Sequence, residues 1–185
     1  SGVGRAVSQL GREFGWRTAN VVRRPELIEE LRAVGAGAVL LDDESLPEQL
    51  AAVTGGAPIP LALNAVGGDS ALRLANALSP GGALITYGAM SRQSLRVPNG
   101  LLIFKDLRWR GFWITAWYDH AGPETLEAMF AELFALAQRG VLHTPVERIF
   151  PIEQAAEALA RAQEGGRSGK ILLGFDPALL SSAGR

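Results

Sequence analysis

Cysteine is absent from this 185-residue chain, which excludes disulfides and every thiolate metal site. Histidine occurs only at His120 and His143, in unrelated segments without ligand spacing, so no bound metal is expected. An excess of one charge is missing as well: 18 Lys/Arg stand against 19 Asp/Glu, spread along the chain without blocks. That leaves no electrostatic footprint for nucleic acid or an anionic membrane, and neither partner is expected. No apolar run approaches the roughly 18 residues of a membrane helix, and the first residues have neither a basic n-region nor a hydrophobic h-region. A soluble intracellular protein is the expectation. Lysine is confined to Lys105 and Lys170. Together with the abundance of Ala, Gly and Arg, this points to a GC-rich bacterial source and a cytoplasmic location, or to the mitochondrial matrix if the source is eukaryotic.

What is present fits one globular core, with 48% hydrophobic and 20% charged residues. Val3, Ala6, Val7, Leu10 and Phe14 fall on one helical face that Gly15 ends. A β-prone run at Thr18–Val22 follows, then a helix from Pro25 with Leu27, Ile28, Leu31 and Val34 on one face and Gly35 as its stop. The alternation continues with strands at Ala38–Leu41, Leu61–Val66 and Ala83–Tyr87 and helices at Pro47–Val53 and Ser70–Leu78. Short apolar strands without polar alternation suit a parallel sheet covered on both faces, and strand–helix alternation is the pattern of a doubly wound α/β fold. A Rossmann fold is therefore expected. A further strand is predicted over Arg108–Ile114. The longest amphipathic helix is predicted over Pro123–Arg139, with Leu126, Met129, Phe130, Leu133, Phe134 and Ala137 on its core stripe. A strand at Val146–Phe150, a helix over Ile152–Gln163 and a strand at Lys170–Leu173 close the pattern.

Ser1-Gly-Val-Gly4 directly precedes the first helix, where a dinucleotide fold needs small residues so that backbone can approach a pyrophosphate. Two glycines opening a helix are also ordinary turn chemistry. The G-x-G-x-x-G fingerprint follows a strand, whereas this sequence begins inside the motif. The sheet is therefore expected to lack its first strand here, and the chain to be part of a longer polypeptide. About 20 residues beyond such glycines, an acidic residue accepts the ribose hydroxyls of NAD, and arginine accommodates the 2′-phosphate of NADP. Val22-Arg23-Arg24-Pro25 has no carboxylate and two guanidiniums suited to a phosphate dianion, so NADP(H) is expected. The plain alternative is that both arginines solvate a strand end.

Several segments together resemble one family. The runs Asn20-Val-Val-Arg23, Leu61-Ala-Leu-Asn-Ala-Val-Gly-Gly68, Thr86-Tyr-Gly-Ala-Met90 and Leu101-Leu-Ile-Phe-Lys-Asp-Leu107, followed by Arg110-Gly-Phe-Trp113, resemble the mitochondrial-type trans-2-enoyl-CoA (enoyl-thioester) reductases of the medium-chain dehydrogenase/reductase superfamily. The match spans about residues 1 to 175. The resemblance implies NADPH-dependent reduction of the 2,3-double bond of an acyl thioester in fatty-acid metabolism, without zinc. It implies that Ser1, Gly2, Val3 and Gly4 hold the pyrophosphate and that Arg23 and Arg24 hold the 2′-phosphate, in a turn one residue shorter than the family's usual Arg-Asp-Arg. It further implies that Tyr87, Gly88, Ala89 and Met90 line the nicotinamide side, that Phe112, Trp113 and Ile114 close around it, and that Lys170 reaches the cofactor from a C-terminal return. The family's proton-donating tyrosine belongs to a catalytic domain that this sequence does not contain, so no residue here is assigned a catalytic role.

Without the resemblance, Tyr87 reads as strand-end packing, Phe112 and Trp113 as core or interface aromatics, Met90 as loop packing and Lys170 as a surface lysine. Asp42-Asp-Glu44 reads as a solvated turn, and His120 beside Asp119 as an adjacent pair without a shared task. The expected organisation is an NADP(H)-binding domain over residues 1–143, a return segment over 144–175 and a disordered tail over 176–185. The aromatic strand near Arg108–Ile114 is expected at a sheet edge, where a two-fold homodimer would join two sheets. Competing readings are a zinc-free quinone oxidoreductase of the same superfamily and a non-catalytic NADP(H)-binding module.

Overall fold

The computed structural model describes residues 1–33, 35–167 and 169–176. Val34 of the expected helical face and nearly all of the expected disordered tail lie outside the described residues. Ser1 opens helix α1 (Gly2–Phe14), its hydroxyl accepting from the Gly4 N–H at 3.0 Å, which satisfies one of the donors a helix start leaves unpaired. Gly15, at φ 72°, ends the helix in the left-handed conformation. Gly11 is buried on the inner face, and a Cβ there would stand 2.6 Å from Thr18 Cγ2, so glycine lets the helix lie against the chain entering the first strand.

Strand β1 (Ala19–Val22), helix α2 (Glu26–Ala33) and strand β2 (Ala38–Leu41) form a unit whose strands pair in parallel from Ala19↔Ala38 to Val22↔Leu41. Helix α3 (Leu46–Thr54), with Pro47 in its first turn, leads to β3 (Leu61–Asn64), α4 (Gly68–Ala77) and β4 (Ala83–Thr86). The short helix α5 (Asn99–Ile103) precedes β5 (Arg108–Gly111), and β3, β4 and β5 pair in parallel in that order. Helices α6 (Ile114–His120) and α7 (Pro123–Gln138) follow. Strand β6 (Val146–Pro151), a 3-10 turn, α8 (Ala155–Gln163) and β7 (Lys170–Gly174) end the described chain, with β6 parallel to β7. One compact unit runs Val3–Phe134 and a second begins at Ala135.

Two buried clusters hold the first unit. Ala71, Ala75, Leu78, Leu84 and Leu107 form one, and Leu40, Leu46 and Leu50 the other; Ile59 and Leu74 pack against both and join them. Each buried leucine contributes about 2 kcal/mol of apolar transfer.

The parallel α/β fold matches the expectation, with differences that have physical causes. The described strands fall into three hydrogen-bonded groups, with β1 paired only to β2 and β3 only to β4. β3 stops at Asn64, two residues early, because the Asn64 carboxamide takes the N–H groups of Val66 and Gly67 that would have continued the ladder. The strand expected to reach Ile114 stops at Gly111, and Ile114 instead begins α6. The apolar stripe of α7 is not a core stripe: Phe130, Leu133 and Phe134 are exposed, Phe134 by 66%, and only Leu136 of that helix is buried. Among the described residues nothing covers that face.

Candidate functional site

In an open parallel sheet, loops leaving the carboxyl ends of the strands gather ligand-binding groups. Here those loops are fastened by one buried side chain. Asn64, 1% exposed at the end of β3, accepts from the N–H groups of Val66 and Gly67, both at 3.0 Å, and donates through Nδ2 to Thr86 Oγ1 at 3.1 Å. Thr86 ends β4 and accepts a second bond from Trp109 Nε1 of β5 at 3.2 Å.

The Tyr87–Met90 segment leaves this point bonded along the turn after β3. Tyr87 N–H donates to the Asn64 carbonyl at 3.0 Å, Met90 N–H to Ala65 at 3.0 Å and Ser91 N–H to Val66 at 2.9 Å. A Cβ on Gly88 would stand 3.1 Å from the Ala65 carbonyl oxygen, which explains glycine in that close approach. Tyr87 and Gly88 are half-buried, while Ala89 and Met90 face solvent. Phe112, Trp113 and Ile114 leave β5 beside the same segment, Phe112 N–H donating to the Thr86 carbonyl at 2.9 Å. All three side chains are exposed, Trp113 by 68%.

At the start of α1, Ser1, Gly2 and Val3 are exposed and Gly4 half-buried. No acidic residue occupies the helix's first turn. The Ser8 hydroxyl lies 3.0 Å from the Gly4 carbonyl oxygen and 2.9 Å from Asn20 Oδ1, tying α1 to β1. Arg23 and Arg24 follow β1 and are exposed; Arg24 Nε lies 3.7 Å from Glu26 Oε1, and Arg23 makes no ion pair among the described residues. The Tyr87–Met90 and Phe112–Ile114 segments both depart at Thr86, the first by chain continuity and the second through the Phe112 bond to the Thr86 carbonyl. Lys170 opens β7 in the second unit, where its N–H donates to Pro145 at 2.7 Å.

In the acidic turn after β2, Glu44 is exposed as expected, and Asp42 departs from the expected solvated character. Asp42 is buried against Arg73 of α4, and the bond from Arg73 to Asp42 raises the guanidinium's pKa above its ordinary value. Asp43 accepts from the Ser45 hydroxyl, the Ser45 N–H and Gln49, and these bonds, the first above all, hold its carboxyl below the ordinary value of 3.8. Lys105 donates to the Asn76 carbonyl at 2.7 Å, and burial lowers its pKa. This staples α5's exit to the end of α4, so the lysine of the Phe-Lys-Asp-Leu run is a structural tie. Sequence reasoning missed Asn64, Thr86 and Trp109. Their one visible signal was a polar residue inside the apolar run Leu61–Val66.

A zinc-binding dehydrogenase family model matches residues 34–173. The human mitochondrial enoyl-acyl-carrier-protein reductase is 37% identical over 178 residues, covering 94% of this chain and 48% of that protein. The solved Etr1p complex with NADP and crotonyl-CoA, of the Candida tropicalis protein, is 26% identical with a TM-score of 0.80, covering 95% of this chain and 51% of the other. A Bacillus thuringiensis protein named as an NADPH:quinone reductase has a TM-score of 0.81 over 95% of this chain and 54% of its own; at 24% identity it shows the fold alone. The chain spans about half the length of these relatives. The zinc of the family's name finds no donor set in this segment, which has no cysteine and, among the described residues, no cluster of three metal-binding side chains. With the family model matched over residues 34–173, the chain belongs to the zinc-binding dehydrogenase family.

Proposed function

We propose that this chain is the NADP(H)-binding part of an enoyl-thioester reductase that reduces the 2,3-double bond of trans-2-enoyl thioesters, on coenzyme A or acyl-carrier protein, in fatty-acid metabolism. The observation that carries the reading is the 37% identity to an enoyl reductase across nearly the whole chain. NADPH, when bound, supplies a hydride to one alkene carbon while a proton reaches the other.

This chain's residues bind and orient. Ser1, Gly2, Val3 and Gly4 present backbone and the positive end of α1 to the pyrophosphate, supported by the absence of acidic residues in that turn. Arg23, exposed and unpaired among the described residues, takes the 2′-phosphate; Arg24 supports it while sharing its charge with Glu26. Tyr87, Gly88, Ala89 and Met90 border the nicotinamide, Phe112, Trp113 and Ile114 shield it from water, and Lys170 adds a cation toward the cofactor. Residues 1–143 constitute the cofactor domain and 144–175 its C-terminal return.

Partnering follows from the edge at β5, which pairs only with β4 among the described residues and continues into exposed Phe112 and Trp113. Pairing of this edge across a two-fold axis gives a homodimer. The reading carries with it the cytoplasm of a bacterium, or the mitochondrial matrix if the source is eukaryotic; the human relative's name calls that protein mitochondrial. No helix among the described residues is long and apolar enough to cross a membrane.

The test is NADPH oxidation by the intact protein with crotonyl-CoA, beside a quinone and with NADH as control donor. Turnover that requires crotonyl-CoA and prefers NADPH is expected. Turnover with quinone alone replaces the substrate, and none with either overturns the enzymatic reading.

A further inference from the structure

The strand-end bonds described above converge on one hydroxyl. Thr86 Oγ1 accepts from Asn64 Nδ2 at 3.1 Å and from Trp109 Nε1 at 3.2 Å, so one atom of β4 ties together β3, β4 and β5. Both segments assigned to the nicotinamide leave from this point: Tyr87 is the next residue after Thr86, and Phe112 follows β5 and bonds the Thr86 carbonyl at 2.9 Å.

The same loop is gripped from its other side. Gly67 and Gly68 have φ of 84° and 53°, in the left-handed region open to glycine. A Cβ on Gly67 would stand 3.1 Å from the Gln93 carbonyl oxygen, and one on Gly68 would stand 3.1 Å from Gln93 Cβ. The turn after β3 thus packs directly beneath the chain that follows Met90, and Asn64 Oδ1 fixes that turn by holding the N–H groups of Val66 and Gly67.

A carboxamide 1% exposed is costly to bury unless its bonds are all made, and an apolar side chain would fill the same core without that demand. Its three-point attachment is explained by what it holds in place. We propose that Asn64, Thr86 and Trp109 form a positioning hub that sets where the Tyr87–Met90 and Phe112–Ile114 segments stand, and so fixes the nicotinamide for hydride transfer. None of the three is a catalytic residue; each acts through the loops. The proposal rests on the cofactor reading above and deepens it, by separating placement of the nicotinamide from attachment of the adenosine end.

Thr86→Val tests it in the intact protein, because the change is nearly isosteric and removes the shared acceptor while leaving the Asn64 bonds to Val66 and Gly67. Trp109→Phe removes one arm only. The expected result for Thr86→Val is a kcat lowered about tenfold or more, since misplacement by about an ångström costs reactions of this kind up to a hundredfold. The dissociation constant of NADPH should stay within about threefold, because the phosphate contacts are elsewhere, and the primary isotope effect with 4-deuterated NADPH should rise as hydride transfer becomes slower relative to other steps. Trp109→Phe is expected to lie between wild type and Thr86→Val. A merely structural role would lower thermal stability without raising the isotope effect. Unchanged kcat and isotope effect in a variant that has lost both bonds overturn the proposal.

The acceptor does not matter to this test: if the wild type turns over quinone and not crotonyl-CoA, the same comparison is made with quinone, and the substrate reading fails independently of the hub. If the wild type turns over neither, the emission of bound NADPH is compared. A shifted nicotinamide emission in Thr86→Val supports the hub, and identical emission overturns it.

Discussion

Arg73 Nε stands 2.8 Å from Asp42 Oδ1, and the Asp42 side chain is only 3% exposed. The pair joins the end of β2 to α4, hence one strand group to the next. Replacing Arg73 by methionine leaves a carboxylate buried without its partner, a loss of about 3 kcal/mol. The double change Asp42→Leu with Arg73→Met should recover most of that. Urea unfolding of the intact protein measures both, and equal stabilities for the single and double variants would show that the pair is not the cause.

Arg23 is the cation expected to read the 2′-phosphate. Arg23→Gln should weaken NADPH binding about 10- to 100-fold, the worth of a hydrogen bond to a charged group, while leaving NADH binding within about twofold. Titration with each nucleotide checks this. Parallel losses for the two nucleotides would remove the phosphate-reading role.

Trp113 is exposed by 68%, so Trp113→Glu should leave folding intact while placing charge beside the β5 edge. Light scattering at micromolar concentration should show a shift from dimer to monomer. A dimer unchanged in strength would move the interface away from this edge.

Asp43 gives a pH dependence of defined sign. Its folded-state pKa lies below the ordinary value of 3.8, chiefly through the Ser45 hydroxyl. Its contribution to stability is therefore complete above that pH and is lost as pH falls from there through the folded value. In Asp43→Ala the fall in urea midpoint over this acid range should be shallower than in wild type. Superimposable profiles would argue against it.

Gly169 marks a backbone crossing in the second unit. A Cβ there would stand 2.5 Å from the Pro145 carbonyl oxygen and 2.6 Å from the Glu147 nitrogen, neither of which can yield without breaking the start of the β6–β7 pairing. Gly169→Ala should cost about 2–3 kcal/mol, read from thermal unfolding of the intact protein.

The α/β alternation was legible because short apolar strands and glycine-stopped helices are local signals, and β1, β2, α3 and α7 lie within about a residue of their expected bounds. Strand ends were less legible. Asn64 halts β3 through side-chain bonds that no period-two pattern encodes, and Ile114, apolar and β-branched, starts a helix after an extended Trp113. The periodicity of α7 identified an apolar face but carried no information about whether anything would cover it. Asp42 was misread for a related reason: its burial depends on an arginine 31 positions away, beyond the reach of local pattern. The candidate site followed the same division. Its glycines and arginines were visible as motifs, whereas the hub beneath them consists of three residues from three strands, none unusual alone.

Every strand pair described above joins strands adjacent in sequence: Ala19 to Ala38, Leu61 to Ala83, Ala83 to Arg108 and Val146 to Lys170. Each closure spans only about 20 to 25 residues, so its entropic cost is small and nearly equal from one to the next. Being parallel, each pair waits on its crossover connection, so pairing is slow even at this reach. As the polypeptide emerges from the ribosome, each β–α–β step can close before the next is made, and the zipper-like order of assembly runs with the direction of synthesis.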